Sequence, residues 1–300
     1  MTSLATKTPT GLPTDRTTSS ARWRPVRTVL WRVLVALVWA GAAFDLLVLL
    51  WIVLSSLKTS NEIFSHPFNL PVQWRWSNFA AAWTDSNLGP AMFNTILLVA
   101  GTAITTVALA APAAYALSRF GVRGSKSTMM YFALGIGIPV QVIMLPLYSM
   151  MNQVGLVDSL TGLWILYVAT SLPFAVFFLS GFFSSLPQEV EEAAALDGAS
   201  PNRTFWRIML PLAQSGLVTL LILNVITHWS ETVLALVFIQ STDHETLSLA
   251  LLKFLQQLQY TGADWGQLFA GVVIVTLPVL LIYVWLGRHI VQGLTLGAGK

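Results

Sequence analysis

No cysteine occurs among the 300 residues. A disulfide framework and thiolate-based metal or redox centres are therefore excluded. Charge is scarce too: Asp, Glu, Lys and Arg make up 10% of the chain, against roughly 25% in a soluble globular protein. The only lysines are Lys7, Lys58, Lys126, Lys253 and Lys300, and none sits in a Gly-x-x-x-x-Gly-Lys-Ser/Thr loop. The chain thus lacks the phosphate cradle of a P-loop ATPase. It has no His-Glu-x-x-His and no paired aspartates within its apolar runs, the sets an intramembrane hydrolase needs. A lone histidine in an apolar run is a poor start for a metal site, and none is expected. No long-period repeat is visible.

Apolar residues dominate what is present. They make up 55% of the chain, and the mean hydropathy is +0.69. A helix needs about 20 apolar residues to cross about 30 Å of hydrocarbon. Six runs qualify: 33–54, 92–117, 128–151, 163–186, 212–239 and 268–290. They predict an all-α integral membrane protein of six transmembrane helices. The first run is too long for a cleaved signal, although Ala40-Gly41-Ala42 resembles a cleavage site. Pro112, Pro139, Pro146, Pro173 and Pro278 lie inside runs and predict kinked helices, tolerated where neighbours satisfy the freed carbonyls.

With six spans both termini share one side. Of the sixteen Lys and Arg, only Lys58, Arg75 and Lys253 fall on the other. The positive-inside rule then places both termini in the cytoplasm. Residues 1–24 read as a disordered cytoplasmic terminus rich in Thr, Ser and Pro, and residues 25–300 as the six-span domain. The basic N-terminus reads as an orientation signal rather than a nucleic-acid arm. The outer loops are 55–91, 152–162 and 240–267. Trp74, Trp76, Phe79 and Trp83 in the first fit an aromatic belt or a docking surface for an external protein.

The cytoplasmic segment 187–211 breaks the pattern. Ser185 can cap a helix with Pro187 in its first turn, and Glu189, Glu191 and Glu192 complement its positive end. Ala193, Ala194 and Ala195 form helix without bulk. Gly198 can adopt the left-handed conformation that ends a helix. Ser200 and Pro201 open a second short helix, running to about Met209 and stopped by Pro211. A smooth alanine face beside fixed charges suits docking of another protein. An amphipathic loop on anionic headgroups would repel its four acids.

Glu192-Ala193-Ala194, Asp197-Gly198, Ile208, Leu210 and Pro211 resemble the EAA loop of bacterial ABC importer permeases. Asn94-Thr95 is similar to that family, as are Ala114-Tyr115-Ala116-Leu117-Ser118-Arg119, Pro139 with Leu145 to Tyr148, Leu156, Pro173-Phe174 and Gly293-Leu294. Together they resemble the carbohydrate branch, and within it the second permease subunit of maltose-type systems. The resemblance implies the type I importer permease fold and translocation of a carbohydrate across the bacterial cytoplasmic membrane. Glu192, Ala193, Ala194, Asp197, Gly198, Ile208 and Pro211 would couple to a cytoplasmic ABC ATPase dimer docked on 187–211. No cofactor is implied in this chain; ATP-Mg would sit in the ATPase. A homologous second permease subunit and an extracytoplasmic solute-binding protein would complete the system. Two positions depart from the family: Ser215 replaces a second proline after Pro211, which predicts a straighter start to span five, and Trp229-Ser230 replaces Trp-Asn.

Polar groups inside spans are costly and point to function. Asn224, His228 and Glu231 fall at i, i+4 and i+7, which puts them on one helix face. That face either lines a translocation path, with Trp229 available to stack on a sugar, or makes hydrogen bonds between helices. Asn94 and Gln141 are further path candidates. Asp45 in span one is either paired within the assembly or a proton carrier. An ion-coupled secondary transporter using Asp45 and Glu231 is the alternative function. It would not need the 187–211 loop.

Overall fold

In this computed structural model, which describes residues 23–261 and 264–297, the described residues form helices and turns without a strand. They divide into two units, α1 up to Trp51 and the chain from Ile52 onward. The apolar helix α1 (Trp23–Ser55) carries Asp45 exposed at its middle. Beyond it come the short outer helices α2 (Ser60–Ser65) and α3 (Ser77–Asp85), then α4 (Leu88–Arg119). α5 (Ser125–Ile136) and α6 (Met144–Gln153) precede α7 (Leu160–Ser185). α8 (Glu189–Leu196), α9 (Pro201–Leu212), α10 (Gln214–Trp229), α11 (Val233–Phe238), α12 (Leu247–Thr261) and α13 (Trp265–Gly297) follow.

Among the described residues four helices are individually long and apolar enough to span: α1 over Val29–Ser55, α4, α7, and α13 over Trp265–Trp285. α9 and α10 qualify as a pair bent by 70° at Ala213. The expected span 128–151 is divided into helices of 12 and 10 residues, each too short to cross alone. Pro139 accounts for the break, because it lacks an N–H and disfavours helical backbone at Ile138. Gly135 and Gly137 weaken the end of α5 further. The expected span 212–239 also ends early, at Trp229, with α11 as a separate turn and a half. The straighter start expected from Ser215 is not found, since the chain bends at Ala213 without a second proline.

Packing is tightest where residues are small. Ala110, Ala111 and Ala114 of α4 meet Ala175, Val176 and Leu179 of α7 in a buried cluster completed by Phe182, Phe183, Phe205 and Met209. Without a hydrophobic drive in lipid, such close backbone approach carries helix association. The expected outer loop 240–267 is mostly helix. α12 packs Leu247, Leu249, Ala250, Phe254 and Leu258 inward, all buried. Its apolar face was hidden among Lys253 and five Gln, Thr and Tyr residues near its end, which read as loop.

The outer connections are tied down by polar side chains. Lys58 is 1% exposed and donates to the His66 and Pro67 carbonyls at 3.2 and 3.0 Å. Asn78 donates to Ser56 O and Lys58 O at 2.9 and 3.0 Å. Thr59 and Glu62 form a reciprocal cap on α2. Backbone hydrogen bonds from Thr59, foremost, and Val72 hold the Glu62 carboxyl below its ordinary range.

Asp158, at φ +55, joins the α6–α7 turn to the end of α11. Its Oδ1 accepts from Ser241 N and Gln240 N, both 2.9 Å, and from Ser241 Oγ at 3.0 Å. The Ser241 and Gln240 amides hold its pKa below the usual carboxylate value, outweighing burial, with His244 at 3.7 Å adding to the effect. A depressed carboxyl stabilises the fold above its unfolded value and stops doing so as pH falls through the folded one. Asp158→Ala is therefore expected to lower the melting temperature of the detergent-solubilised protein at pH 7. The gap from wild type should close progressively below about pH 4. A gap that stays constant down to pH 3 would remove Asp158 as its source.

Candidate functional site

Two sites emerge, one at the polar ends of α4 and α7 and one midway along α7 and α10. At the first, α7 ends at Ser185, whose hydroxyl donates back to Phe182 O at 2.7 Å. Ser185 therefore finishes α7 and does not cap α8, as the sequence suggested; Gln188 occupies that position without a side-chain cap. α8 ends as expected. Gly198 lies at φ +76, its N–H reaches Ala195 O at 3.0 Å, and Ala199 N–H reaches Ala194 O at 2.9 Å. These two bonds are the Schellman pattern, which requires the left-handed residue. Ser200 then caps α9, accepting from Arg203 N at 3.3 Å, with Pro201 at its first position.

α9 runs on to Leu212 because a π-turn over Phe205–Met209 carries the chain past the expected stop near Met209. Phe205 is buried there against Tyr115, 5.0 Å between ring centres, and against Phe183 at 6.4 Å. The turn between α8 and α9 stands clear of the helices. Glu192, Ala193, Ala195, Asp197 and Gly198 are exposed, and Leu196 is 89% exposed. Ile208 is half-buried and Pro211 exposed. Of the sequence-predicted coupling residues only Ala194 is buried, at the root of α8.

One α8 acid turns inward. Glu191 Oε1 accepts from Tyr115 Oη at 2.6 Å, and its Oε2 lies 3.3 Å from Arg119 Nε, close enough for an ion pair but not aligned as a hydrogen bond. The Arg119 guanidinium also donates to Leu186 O at 2.5 Å. Beside this cluster is a recess of about 390 Å³ lined by Ser118, Gln188, Ala199 and Thr204 among others. The sequence pattern 114–119 contained Tyr115 and Arg119 but said nothing of their partner. Their i, i+4 spacing was the available signal.

The second site is a recess of about 270 Å³ between α7 and α10. Thr170, Ser171 and Phe174 line it from α7; Leu223, Asn224, Thr227 and His228 line it from α10. His228 Nε2 lies 2.7 Å from Ser171 Oγ, while its Nδ1 has no partner. Asn224 donates to Leu220 O at 3.0 Å, and its Oδ1 is unpartnered although the residue is 5% exposed. Two buried polar atoms are thus unsatisfied beside one cavity, an arrangement rare unless something polar fills it.

The other path candidates lie elsewhere. Glu231 falls beyond the end of α10 and so leaves the face shared by Asn224 and His228. It accepts from Leu234 N at 2.7 Å and Ala235 N at 3.3 Å, capping α11, and from Tyr167 Oη at 2.6 Å. Tyr167 in turn stacks on His228 at 4.5 Å. Trp229 is buried among Ala82, Leu88, Leu247, Ala250 and Ala270, and its indole donates to Val275 O at 3.0 Å, so it is not free to stack on a ligand. Asn94 donates to Asp243 O at 2.8 Å and Glu245 O at 3.0 Å, and Thr95 accepts from Leu247 N at 2.8 Å. The pair fixes the turn before α12. Gln141 is exposed in the break between α5 and α6. Among the described residues no group of three His, Asp or Glu could hold a metal ion. Gly293-Leu294 lies on α13, and residues 1–22 fall outside the described residues.

Residues 106–296 match the family described as binding-protein-dependent transport system inner membrane component. A diacetylchitobiose uptake system permease protein of Streptomyces coelicolor is 36% identical over 249 residues, 83% of this chain and 82% of that protein. A trehalose transport system permease protein of Mycobacterium tuberculosis is 32% identical over 91% of this chain and 98% of that protein. In fold, the chain is similar to one in the crystal structure of a bacterial ABC transporter involved in the import of the acidic polysaccharide alginate. The TM-score is 0.74 over 90% of this chain and 98% of that one, at 23% identity.

Proposed function

This chain belongs to the family of binding-protein-dependent transport system inner membrane components, and on that premise we propose that it moves an uncharged carbohydrate inward across the cytoplasmic membrane, with both termini in the cytoplasm. It is a multi-pass transport subunit with the type I importer fold and not an enzyme. Energy comes from ATP-Mg in a separate ATPase dimer seated on 187–211. A homologous second permease subunit closes the pathway, and an extracytoplasmic binding protein delivers the sugar. The relatives named for diacetylchitobiose and trehalose uptake support the sugar assignment.

The observation that carries the reading is the α8–Gly198–α9 turn. It offers small and apolar side chains, ending in the exposed Leu196, at the end of the helix bundle, where they stand exposed among the described residues. Large exposed apolar groups beside charges mark protein contact sites. Coupling runs through Glu192, Ala193, Ala194, Asp197, Gly198, Ile208 and Pro211. ATP binding would bias the permease pair between inward- and outward-open states by binding one of them better. The α7–α10 recess, through Asn224 and His228, is the substrate-facing surface. An ion-coupled carrier finds no free carboxylate at Glu231, which three donors hold.

Gentle detergent extraction and affinity capture of the wild-type chain are expected to recover a P-loop ATPase and a second permease of the same family. Glu192→Ala should reduce ATPase recovery severalfold and leave the second permease bound. Capture of the second permease without any ATPase would overturn the coupling assignment.

A further inference from the structure

We propose that Glu191 is a positioning residue that latches the docked loop to α4, so that movement of α8 pulls on the span. The proposal rests on 187–211 being the ATPase seat. α8 is only eight residues long, and Ala194 is its one buried residue. An attachment that shallow transmits little force by packing alone. Glu191 supplies what packing does not. Its carboxylate turns away from the exposed face carrying Glu192, Ala193 and Leu196, and its side chain is 18% exposed. There it meets two groups one helical turn apart on α4, the Tyr115 hydroxyl at 2.6 Å and the Arg119 guanidinium at 3.3 Å.

The receiving end is rigid. The Tyr115 ring is buried with its centre 5.5 Å from that of Phe183 on α7 and 5.0 Å from that of Phe205 in the π-turn. Arg119, 11% exposed, also holds Leu186 O at the end of α7. One carboxylate on α8 is therefore joined to α4 directly and, through Arg119, to the end of α7. Hydrogen bonds to a charged acceptor are shorter and stronger than neutral ones. Severing this one leaves a partly buried guanidinium without its counter-charge. Glu189 and Glu192 are exposed on the same helix, and Glu192 accepts from Gln188 Nε2 at 3.1 Å instead.

The test uses the whole transporter, reconstituted in proteoliposomes with its ATPase, second permease and binding protein. Glu191→Gln, Tyr115→Phe and Glu191→Ala are compared with wild type for ATPase recovery, melting temperature and sugar molecules moved per ATP hydrolysed. ATPase recovery is expected to stay within error for Tyr115→Phe and Glu191→Gln, and melting temperature within error for Tyr115→Phe but lowered for Glu191→Gln, whose Arg119 loses its counter-charge, while sugar moved per ATP falls about tenfold in both. The two substitutions combined should cost no more than either alone, because they cut one link. The charge exchange Glu191→Arg with Arg119→Glu should recover part of the coupling. Unchanged sugar per ATP in all three single variants overturns the latch. So does loss of the ATPase from the Glu191 variants, which would make Glu191 a docking residue. A wild-type chain that recovers no ATPase overturns the docking assignment itself, and the latch with it.

Discussion

Gly198→Val is expected to lower uptake at least tenfold while the chain still reaches the membrane. The two bonds of the Schellman turn fix the angle between α8 and α9, and both depend on Gly198 holding φ +76. Nothing lies within 4 Å of a Cβ built there, so a side chain meets no obstacle. The penalty is purely one of backbone. A left-handed residue with a Cβ costs about 1–2 kcal/mol, and a β-branched one is a genuine outlier in that region. That is small against the stability of a helix bundle. It is comparable with the two turn bonds, worth about 0.5–1.5 kcal/mol each. The turn rather than the fold is therefore what gives way. Once it opens, α8 and α9 would no longer present one rigid surface to the proposed ATPase, and its closure would be spent on bending the loop. A graded series isolates this cause. Asn tolerates the left-handed region and should retain most uptake, Ala should lose an intermediate share, and Val should lose the most. Uptake and ATPase stimulation measured on the same proteoliposomes decide the matter. A Val variant that transports as well as the Asn variant would show that the turn geometry is not used.

How far the sequence revealed this arrangement depends on how local each signal is. Gly198, Ser200 and Pro201 were legible because a left-handed glycine and an N-cap are decided by a few neighbouring residues. The spans were legible as composition, since apolar runs of 20 residues have few other uses. Their continuity was not. Pro139 breaks its run while Pro112, Pro173 and Pro278 remain inside long helices. The difference lies in the neighbours. A Cβ at Gly135 would lie 3.3 Å from the Pro173 ring, so that position favours glycine, and Gly135 and Gly137 in the turn before Pro139 lack the local support that Ala111 and Ala113 give Pro112. The errors in span five share one origin. The i, i+4, i+7 spacing of Asn224, His228 and Glu231 holds only if the helix continues, and it ends at Trp229. Glu231 then became a cap, and Trp229 turned into the α12–α13 core. Contacts between residues far apart in sequence left no trace at all. Glu191 with Tyr115 is separated by 76 positions and Asn94 with Asp243 by 149.

Asn224→Leu separates a structural asparagine from a functional one, because each role predicts a different combination of stability, assembly and uptake. Oδ1 of Asn224 is buried and has no partner, and the amide serves only the Leu220 carbonyl of its own helix. An unsatisfied buried acceptor costs about 1–3 kcal/mol. Leucine has the same branched shape, is somewhat larger, carries no such penalty and leaves Leu220 O its helical bond. If Asn224 does nothing but pack, the substitution should be neutral in both stability and uptake. If it holds a partner subunit through an interhelical hydrogen bond, capture of the second permease should weaken. If Oδ1 receives a sugar hydroxyl, stability and assembly should hold or improve while transport suffers. The last is the expected result. Losing one buried hydrogen bond of about 1–3 kcal/mol to a passing sugar corresponds to roughly a fivefold to hundredfold loss in uptake. Ser171→Ala should add to it, since it takes from His228 Nε2 its only partner and frees that ring to turn from the recess. Melting temperature, recovery of the second permease and initial uptake rate, read on one preparation, assign Asn224 to one of the three roles. A leucine variant with wild-type uptake removes the α7–α10 recess from the substrate's path.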